Sequence, residues 1–136
     1  MPGRKVIMNF EVTSTSHTLE AYRARGGYAT LEKALKLQPA EITKEVTASG
    51  LLGHGGAAFP VGRKWGVMKP IPGEIHYLCA NADEGEPGTF KDRWILENAP
   101  HLLVESMAIA AYALQVRNAF VYIRGEFDLP YRRLAG

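Results

Sequence analysis

The chain is predicted to be α/β: N-terminal helices followed by a βαβ unit with parallel strands and an incomplete sheet. Three observations carry this. The run Ile75-His-Tyr-Leu-Cys-Ala80 is rich in strand formers and nearly continuous in apolarity, as in a strand covered on both faces. The segment from Asn98 or Pro100 to Val116 repeats Leu103, Met107, Ala110, Ala111 and Leu114 at helical spacing, with Leu102, Ile109 and Ala113 in a second stripe. Ala119 to Ile123 then reads as a second strand. Strand, helix and strand in this order make a right-handed crossover. Two strands are fewer than a stable sheet has, so the unit is expected to be part of a larger one.

The N-terminal elements follow from their own punctuation. Residues 1–16 read as an arm, and 17–136 as the N-terminal part of a truncated α/β domain. Thr18 to Arg25 and Tyr28 to Leu37 are helical stretches parted by Gly26-Gly27. Pro39 suits the first turn of a helix reaching Ser49, with Ile42 and Val46 on one face and Gly50 as its stop. A further helix is expected to begin near Arg132.

Composition excludes several classes. The formal charge of +2 arises from 16 basic and 14 acidic side chains that are interspersed, without the basic stripe of a nucleic-acid reader. Cys79 is the single cysteine, so an intrachain disulfide is impossible and no cysteine-ligated iron–sulfur cluster can form within this chain. That usage suits a reducing, cytoplasmic setting. The N-terminus lacks the apolar core of a signal peptide. The longest uncharged helical run, Ser106 to Val116, falls short of the roughly 20 residues a bilayer needs. His76 and His101 have no partner at metal-ligand spacing and read as structural, and Cys79 reads as a small core residue.

Chemistry is concentrated in two loops that read as halves of one site. The first, Gly53-His-Gly-Gly-Ala-Ala-Phe-Pro-Val-Gly-Arg-Lys-Trp65, combines glycines with a cation and an aromatic. It follows a helix, and Pro60 with Gly62 interrupts any helix starting at Ala57, so the dinucleotide fingerprint does not fit. Arg63 displaces the lysine after Gly62 and Trp65 stands where a hydroxyl residue is needed, so a P-loop does not fit either. A glycine-rich backbone that holds a phosphate or lies against a flat ring remains, beside the plain alternative of a surface turn. The second loop, Asn81-Ala-Asp-Glu-Gly-Glu-Pro-Gly-Thr-Phe-Lys-Asp92, follows the first strand, where open α/β sheets bind ligands. Its amide and carboxylates suit a heteroaromatic ligand with N–H or sugar hydroxyl groups, beside the alternative of a solvated charge cluster. The ligand pattern of a calcium loop is absent, and no metal-ligating or catalytic side chain is assigned.

With these residues in view, the chain resembles the NADH-binding flavoprotein subunit of respiratory complex I, the F-type subunit of NADH-quinone oxidoreductase. The same family includes the diaphorase subunits of NAD-reducing hydrogenases and of some formate dehydrogenases. The likeness rests on Ser49-Gly-Leu-x-Gly-x-Gly-Gly-Ala-x-Phe-Pro-x-Gly-Arg-Lys-Trp65, on the whole of Asn81 to Asp92, and on Tyr122-Ile-Arg-Gly-Glu126. It implies a Rossmann-like FMN/NADH-binding domain, with NADH stacked on the flavin and a hydride passing between them. Carried over, Gly53, Gly55 and Gly56 form the flavin loop, and Lys64, Asn81, Asp83 and Glu84 contact FMN. Phe59 and Glu86 face NADH. The implied partners are NADH and other subunits of a respiratory or hydrogenase-type complex, which would hold the chain at the periphery of the inner membrane.

The first loop departs from the family pattern. Leu52 and His54 stand where the family has arginines, Ala58 where it has glycine and Val61 where it has threonine. The family's later Gly-Glu-Glu and four-cysteine elements are not in these 136 residues. Three function classes follow: a flavin-dependent NADH oxidoreductase module completed by the missing half, a truncated non-catalytic relative that binds a partner, and a metal- or nucleotide-binding module without redox chemistry.

Overall fold

The computed structural model describes residues 6–68 and 71–136. Among them the chain forms, in order, α1 (Leu19–Ala24), α2 (Ala29–Ala34), α3 (Pro39–Ala48), α4 (Val61–Gly66), β1 (Tyr77–Ala82), α5 (Lys91–Asn98), α6 (Pro100–Ala113), β2 (Asn118–Ile123) and α7 (Asp128–Ala135). β1 and β2 are neighbours in a parallel, open two-stranded sheet, with α6 in the crossover between them. The α/β reading and the strand, helix, strand order are therefore realised.

Local chemistry sets the helix ends. The Thr18 side chain accepts the Ala21 N–H at 3.2 Å and opens α1, and Gly26, at φ 85°, ends it. Tyr28 adopts φ 68° and so lies outside α2, which is shorter than the expected Tyr28–Leu37. Pro39 stands in the first turn of α3, and the Glu41 carboxylate accepts the Gln38 N–H at 2.7 Å.

Contacts divide the chain into two compact units. One comprises the chain up to Gly27, Asn81–Val104 and Tyr122–Gly136; the other comprises Tyr28–Ala80 and Glu105–Val121. The core of the second gathers Ala34, Ile42 and Ala113, with Leu37, Val46, Trp65, Ile109 and Tyr112 packed against it. Helix packs on helix here: the C-terminal half of α6 meets α2 and α3, and the Tyr112 hydroxyl donates to the Leu37 carbonyl at 2.9 Å. Buried Glu105 ties α6 to the start of α2, accepting the N–H groups of Tyr28 (2.9 Å) and Leu31 (3.0 Å). Those donors are orphans of a helix start, and a carboxylate there also suits the positive end of the helix dipole.

In the first unit α5 packs against α7 around Leu96, Ala99 and Pro130, and the Arg133 guanidinium donates to the Glu97 carbonyl. The His101 ring stacks on Tyr22 with centroids 5.7 Å apart. Burial, with the charges of Arg23 and His17, holds its pKa below the ordinary value.

Three expectations are corrected. β1 begins two residues later than Ile75 and runs on to Ala82, because a turn at Pro72-Gly73 and pairing with β2 set its limits rather than its apolarity. It is also not covered on both faces. Leu78 and Ala80 are half-buried, but Tyr77 and Cys79 are exposed, as are Phe120 and Tyr122 on β2, so Cys79 is not a core residue. Apolarity records what a side chain tolerates, not whether a neighbour arrives. No helix starts at Ala57, as expected; α4 begins only after Pro60, where the missing N–H costs nothing. Finally, α5 went unpredicted, and α7 starts at Asp128 rather than near Arg132.

Candidate functional site

The glycine-rich loop is closed by its own backbone. Leu52 and Pro60 form an antiparallel bridge, the Gly53 N–H donates to the Phe59 carbonyl at 2.9 Å, and the Val61 N–H donates to the Leu51 carbonyl at 2.9 Å. Inside this clasp Gly56 sits at φ 101°, a conformation side chains avoid, and Ala58 sits at φ 49° in the left-handed region. At Gly55 an added Cβ would meet open space, so neither packing nor φ demands glycine there. The loop then runs into α4, which carries Lys64 exposed and Trp65 half-buried in the helical core. Gly62 is what lets α4 come so close to α3: a Cβ at this position would lie 2.3 Å from the Thr47 Cα.

Beneath the clasp lies a cavity of about 680 Å³, within the size range of small-molecule and cofactor sites. Gly53, Ala58, Phe59, Lys64, Trp65 and Tyr77 are among its walls, so it offers backbone, aromatic faces and one ammonium. That donor set suits a flat heteroaromatic ligand bearing negative charge. The Arg63 guanidinium lies 5.7 Å from the Phe59 ring centroid, and the ring is half exposed at 48%.

The acidic loop is held by side chains instead. At the end of β1 the Asn81 amide oxygen accepts the Asp83 N–H at 3.0 Å, a local turn that leaves the amide NH₂ as the donor it can offer a ligand. Glu84 adopts φ 44°, and its carboxylate reaches the start of α5, accepting from the Asp92 N–H at 2.8 Å and the Arg93 N–H at 3.0 Å. The Arg124 guanidinium donates to the Glu84 carbonyl at 3.2 Å and pairs with Glu126 at 2.6 Å. Beyond Gly85 the chain turns again at Gly88 (φ 83°), where both the N–H and the hydroxyl of Thr89 donate to the Glu86 carbonyl; the Glu86 residue is exposed.

The predicted residues are thus distributed between two units: Gly53, Gly55, Gly56, Phe59 and Lys64 in one, and Asn81, Asp83, Glu84 and Glu86 in the other. Sequence reasoning passed over Arg124, although the Tyr122–Glu126 motif contains it. Nothing in a one-dimensional string marks an arginine as the partner of a carbonyl 40 positions earlier. It also left Trp65 open between ligand stacking and the core, and the structure gives it a place in both the core and the cavity wall.

Comparison with known proteins accounts for this pair of loops. The profile of the Nuo51 FMN-binding domain family matches residues 46–135, which contain both. The chain belongs to this family. Among its relatives, an F-type NADH-quinone oxidoreductase subunit of Rhizobium meliloti is 52% identical over 119 residues, covering 87% of this chain and 28% of the relative. NADP-reducing hydrogenase subunit HndC of Solidesulfovibrio fructosivorans is 45% identical over 117 residues, covering 86% of this chain and 24% of the relative. A crystal structure of an NAD⁺-reducing [NiFe]-hydrogenase in the air-oxidised state superposes with a TM-score of 0.68 at 41% identity, covering 72% of this chain and 17% of that one. As a Nuo51-type chain, this protein spans between a quarter and three-tenths of the length of its NADH-quinone oxidoreductase relatives. Among its described residues no helix is long and apolar enough to cross a membrane, and no cluster of three metal-ligating side chains occurs.

Proposed function

We propose that the chain is the N-terminal portion of an NADH dehydrogenase-type flavoprotein module that transfers a hydride from NADH to FMN within an NADH:quinone oxidoreductase or a related diaphorase. Membership of an FMN-binding domain family supports the reading. The single structural observation that carries it is the clasped glycine loop over an aromatic-walled cavity that holds Lys64. FMN, when bound, supplies the two-electron acceptor for the nicotinamide hydride. The protein's own task is to bind, orient and polarise, since hydride transfer needs no side-chain base at the reacting carbon.

In this reading Gly53, Gly55 and Gly56 admit the flavin against bare backbone, and Lys64 provides a fixed positive charge. The family resemblance assigns Asn81 and Asp83, a donor and an acceptor, to FMN, and Phe59 and Glu86 to NADH. Partners are NADH and other subunits of a respiratory or hydrogenase-type complex, and the setting is cytoplasmic, at the inner membrane where such a complex is anchored. Cys79 alone cannot ligate an iron–sulfur cluster, so onward electron transfer requires another polypeptide segment.

A second reading, a non-catalytic relative acting as a partner-binding module, draws on Ala58 in the left-handed region of the flavin loop and on exposed Tyr77 and Phe120. Titrating FMN into the purified chain, with quenching of flavin fluorescence and amide chemical shifts as readouts, separates the two. The flavin reading expects saturable binding weaker than micromolar, because each missing charge-assisted hydrogen bond removes about 1.5–3 kcal/mol, roughly one to two decades of affinity. It also expects Lys64→Gln to weaken that binding by about 10-fold. A flat titration into millimolar FMN leaves the partner-binding reading in its place.

A further inference from the structure

We infer that Glu84 and Arg124 are positioning residues of the acidic loop, and that the Glu84 carboxylate is the cap of α5 rather than a flavin ligand. This deepens the flavin reading and rests on it for the identity of the ligand. Family resemblance alone assigns Glu84 to FMN; the hydrogen bonds assign it elsewhere. Both carboxylate oxygens are engaged, one by the Asp92 N–H at 2.8 Å and the other by the Arg93 N–H at 3.0 Å. These are two of the unpaired donors at the start of an eight-residue helix, and the helix has no other side-chain cap, since Phe90 occupies the capping position. A carboxylate there satisfies two orphan donors and the positive end of the helix dipole at once. Turning it towards a ligand would leave both donors without their acceptor.

The backbone of Glu84 shows why a second residue is needed. At φ 44° it occupies a left-handed conformation that is unfavourable for a non-glycine residue. Such a conformation persists where surrounding bonds over-determine it. Here the side chain is pinned on one side by α5, and the carbonyl is pinned on the other by the Arg124 guanidinium at 3.2 Å. Arg124 is itself oriented by Glu126 at 2.6 Å, with Phe127 beside it at 5.9 Å from ring centroid to guanidinium carbon. The two anchors fix the turn between Asp83 and Glu86, the residues on its flanks that the flavin reading assigns to ligand contact. A Cβ at Gly85 would lie 3.2 Å from the Asp83 carboxylate, so the turn is also drawn close to the group it orients. Arg124 therefore acts on the ligand through Glu84, without touching it.

The test compares Glu84→Gln, Arg124→Gln and Arg124→Lys with the parent chain, using NMR to record amide hydrogen exchange at Asp92 and Arg93 and to follow titration with FMN. Glutamine keeps one acceptor oxygen and replaces the other by a donor. The expected result for Glu84→Gln is about 10-fold faster exchange at Asp92 or Arg93, measured before any flavin is added. For Arg124→Gln the expected result is shifted resonances across Asp83 to Glu86 and about 10-fold weaker FMN binding, with Arg124→Lys restoring both because lysine can still donate to the carbonyl. Unchanged exchange in Glu84→Gln together with weakened FMN binding would overturn the assignment and return Glu84 to the ligand. Equal FMN affinity for Arg124→Gln and the parent would overturn the role of Arg124. If the parent chain itself shows no response to FMN, the flavin reading falls, and the exchange data still decide whether Glu84 caps α5.

Discussion

The glycine-rich loop and the acidic loop carry most of the unusual residues of this chain, yet opposite means hold them in shape. The first is closed by main-chain bonds, Gly53 to Phe59 and Val61 to Leu51, and its side chains are largely exposed. The second is shaped by side chains: the Asn81 amide, the Glu84 carboxylate, the Thr89 hydroxyl and the Arg124 guanidinium each hold a backbone group. The difference teaches where each is vulnerable. A backbone-closed loop tolerates changed side chains, but not an added Cβ where helices meet. A loop closed by side chains depends on particular functional groups.

Gly62→Ala is the strongest challenge to the first half of that contrast. Alanine gains about 1 kcal/mol of helix propensity over glycine. Its Cβ, however, would stand 2.3 Å from the Thr47 Cα, and overpacking of this kind costs up to about 3 kcal/mol. A net loss of up to about 2 kcal/mol is expected by urea unfolding. Stability equal to the parent would show that α3 and α4 can part freely and that the clasp does not depend on their contact.

Glu84→Ala tests the second half. It removes the acceptor of two N–H groups at α5, and loss of a helix cap costs about 0.5–2 kcal/mol. The measurement is the same unfolding curve, and an unchanged midpoint would mean that water replaces the carboxylate at no cost.

Ala58→Gly sharpens the contrast in the opposite direction. At φ 49° alanine carries a left-handed strain that glycine does not, partly offset by the extra freedom glycine has when unfolded. A gain of about 0.5–1 kcal/mol and a higher thermal midpoint are expected. A loss would indicate that the Ala58 methyl group packs productively in the cavity wall.

The smallest effect lies outside both loops and serves as their control. His101 has its pKa held below 6.5 by burial and by Arg23 and His17, so the folded state favours the neutral ring. Stability from this group is present above pH 6.5 and is lost as pH falls from 6.5 through the lower folded value, because the unfolded chain binds the proton first. His101→Gln should flatten the acid side of the stability profile in that window, as followed by thermal unfolding at several pH values. An unaltered slope would place the titrating group elsewhere.

Both loops, the helix–strand alternation and the family were legible as sequence. Glycine clusters, a proline at a helix start and apolar periodicity are local signals, and local backbone preference is their direct expression. The order of β1, α6 and β2 was likewise readable, since apolar periodicity separates strand from helix. Three things were not. The core was expected where the strands are, but α6 joins α2 and α3 instead, while Tyr77, Cys79 and Phe120 face solvent. α5 was invisible because its moderate apolar pattern, Trp94, Ile95 and Leu96, begins straight after an acidic turn, and its cap comes from Glu84, seven residues before Lys91. Arg124 stood within a recognisable motif without a task.

The sequence by itself determined which residue types could approach a flat, charged ligand, where the chain must turn and which segments alternate between strand and helix. Only the tertiary structure decided which polar atoms remain free to do so. Lys64 and Glu84 carry equal and opposite formal charges in the sequence. In space Lys64 is exposed on the wall of a cavity, whereas the Glu84 carboxylate is already engaged by two backbone donors. The reason is physical: composition specifies a side chain's capacity for hydrogen bonds, but distance specifies which bonds are made, and a carboxylate that satisfies a helix start is no longer equally available to a ligand.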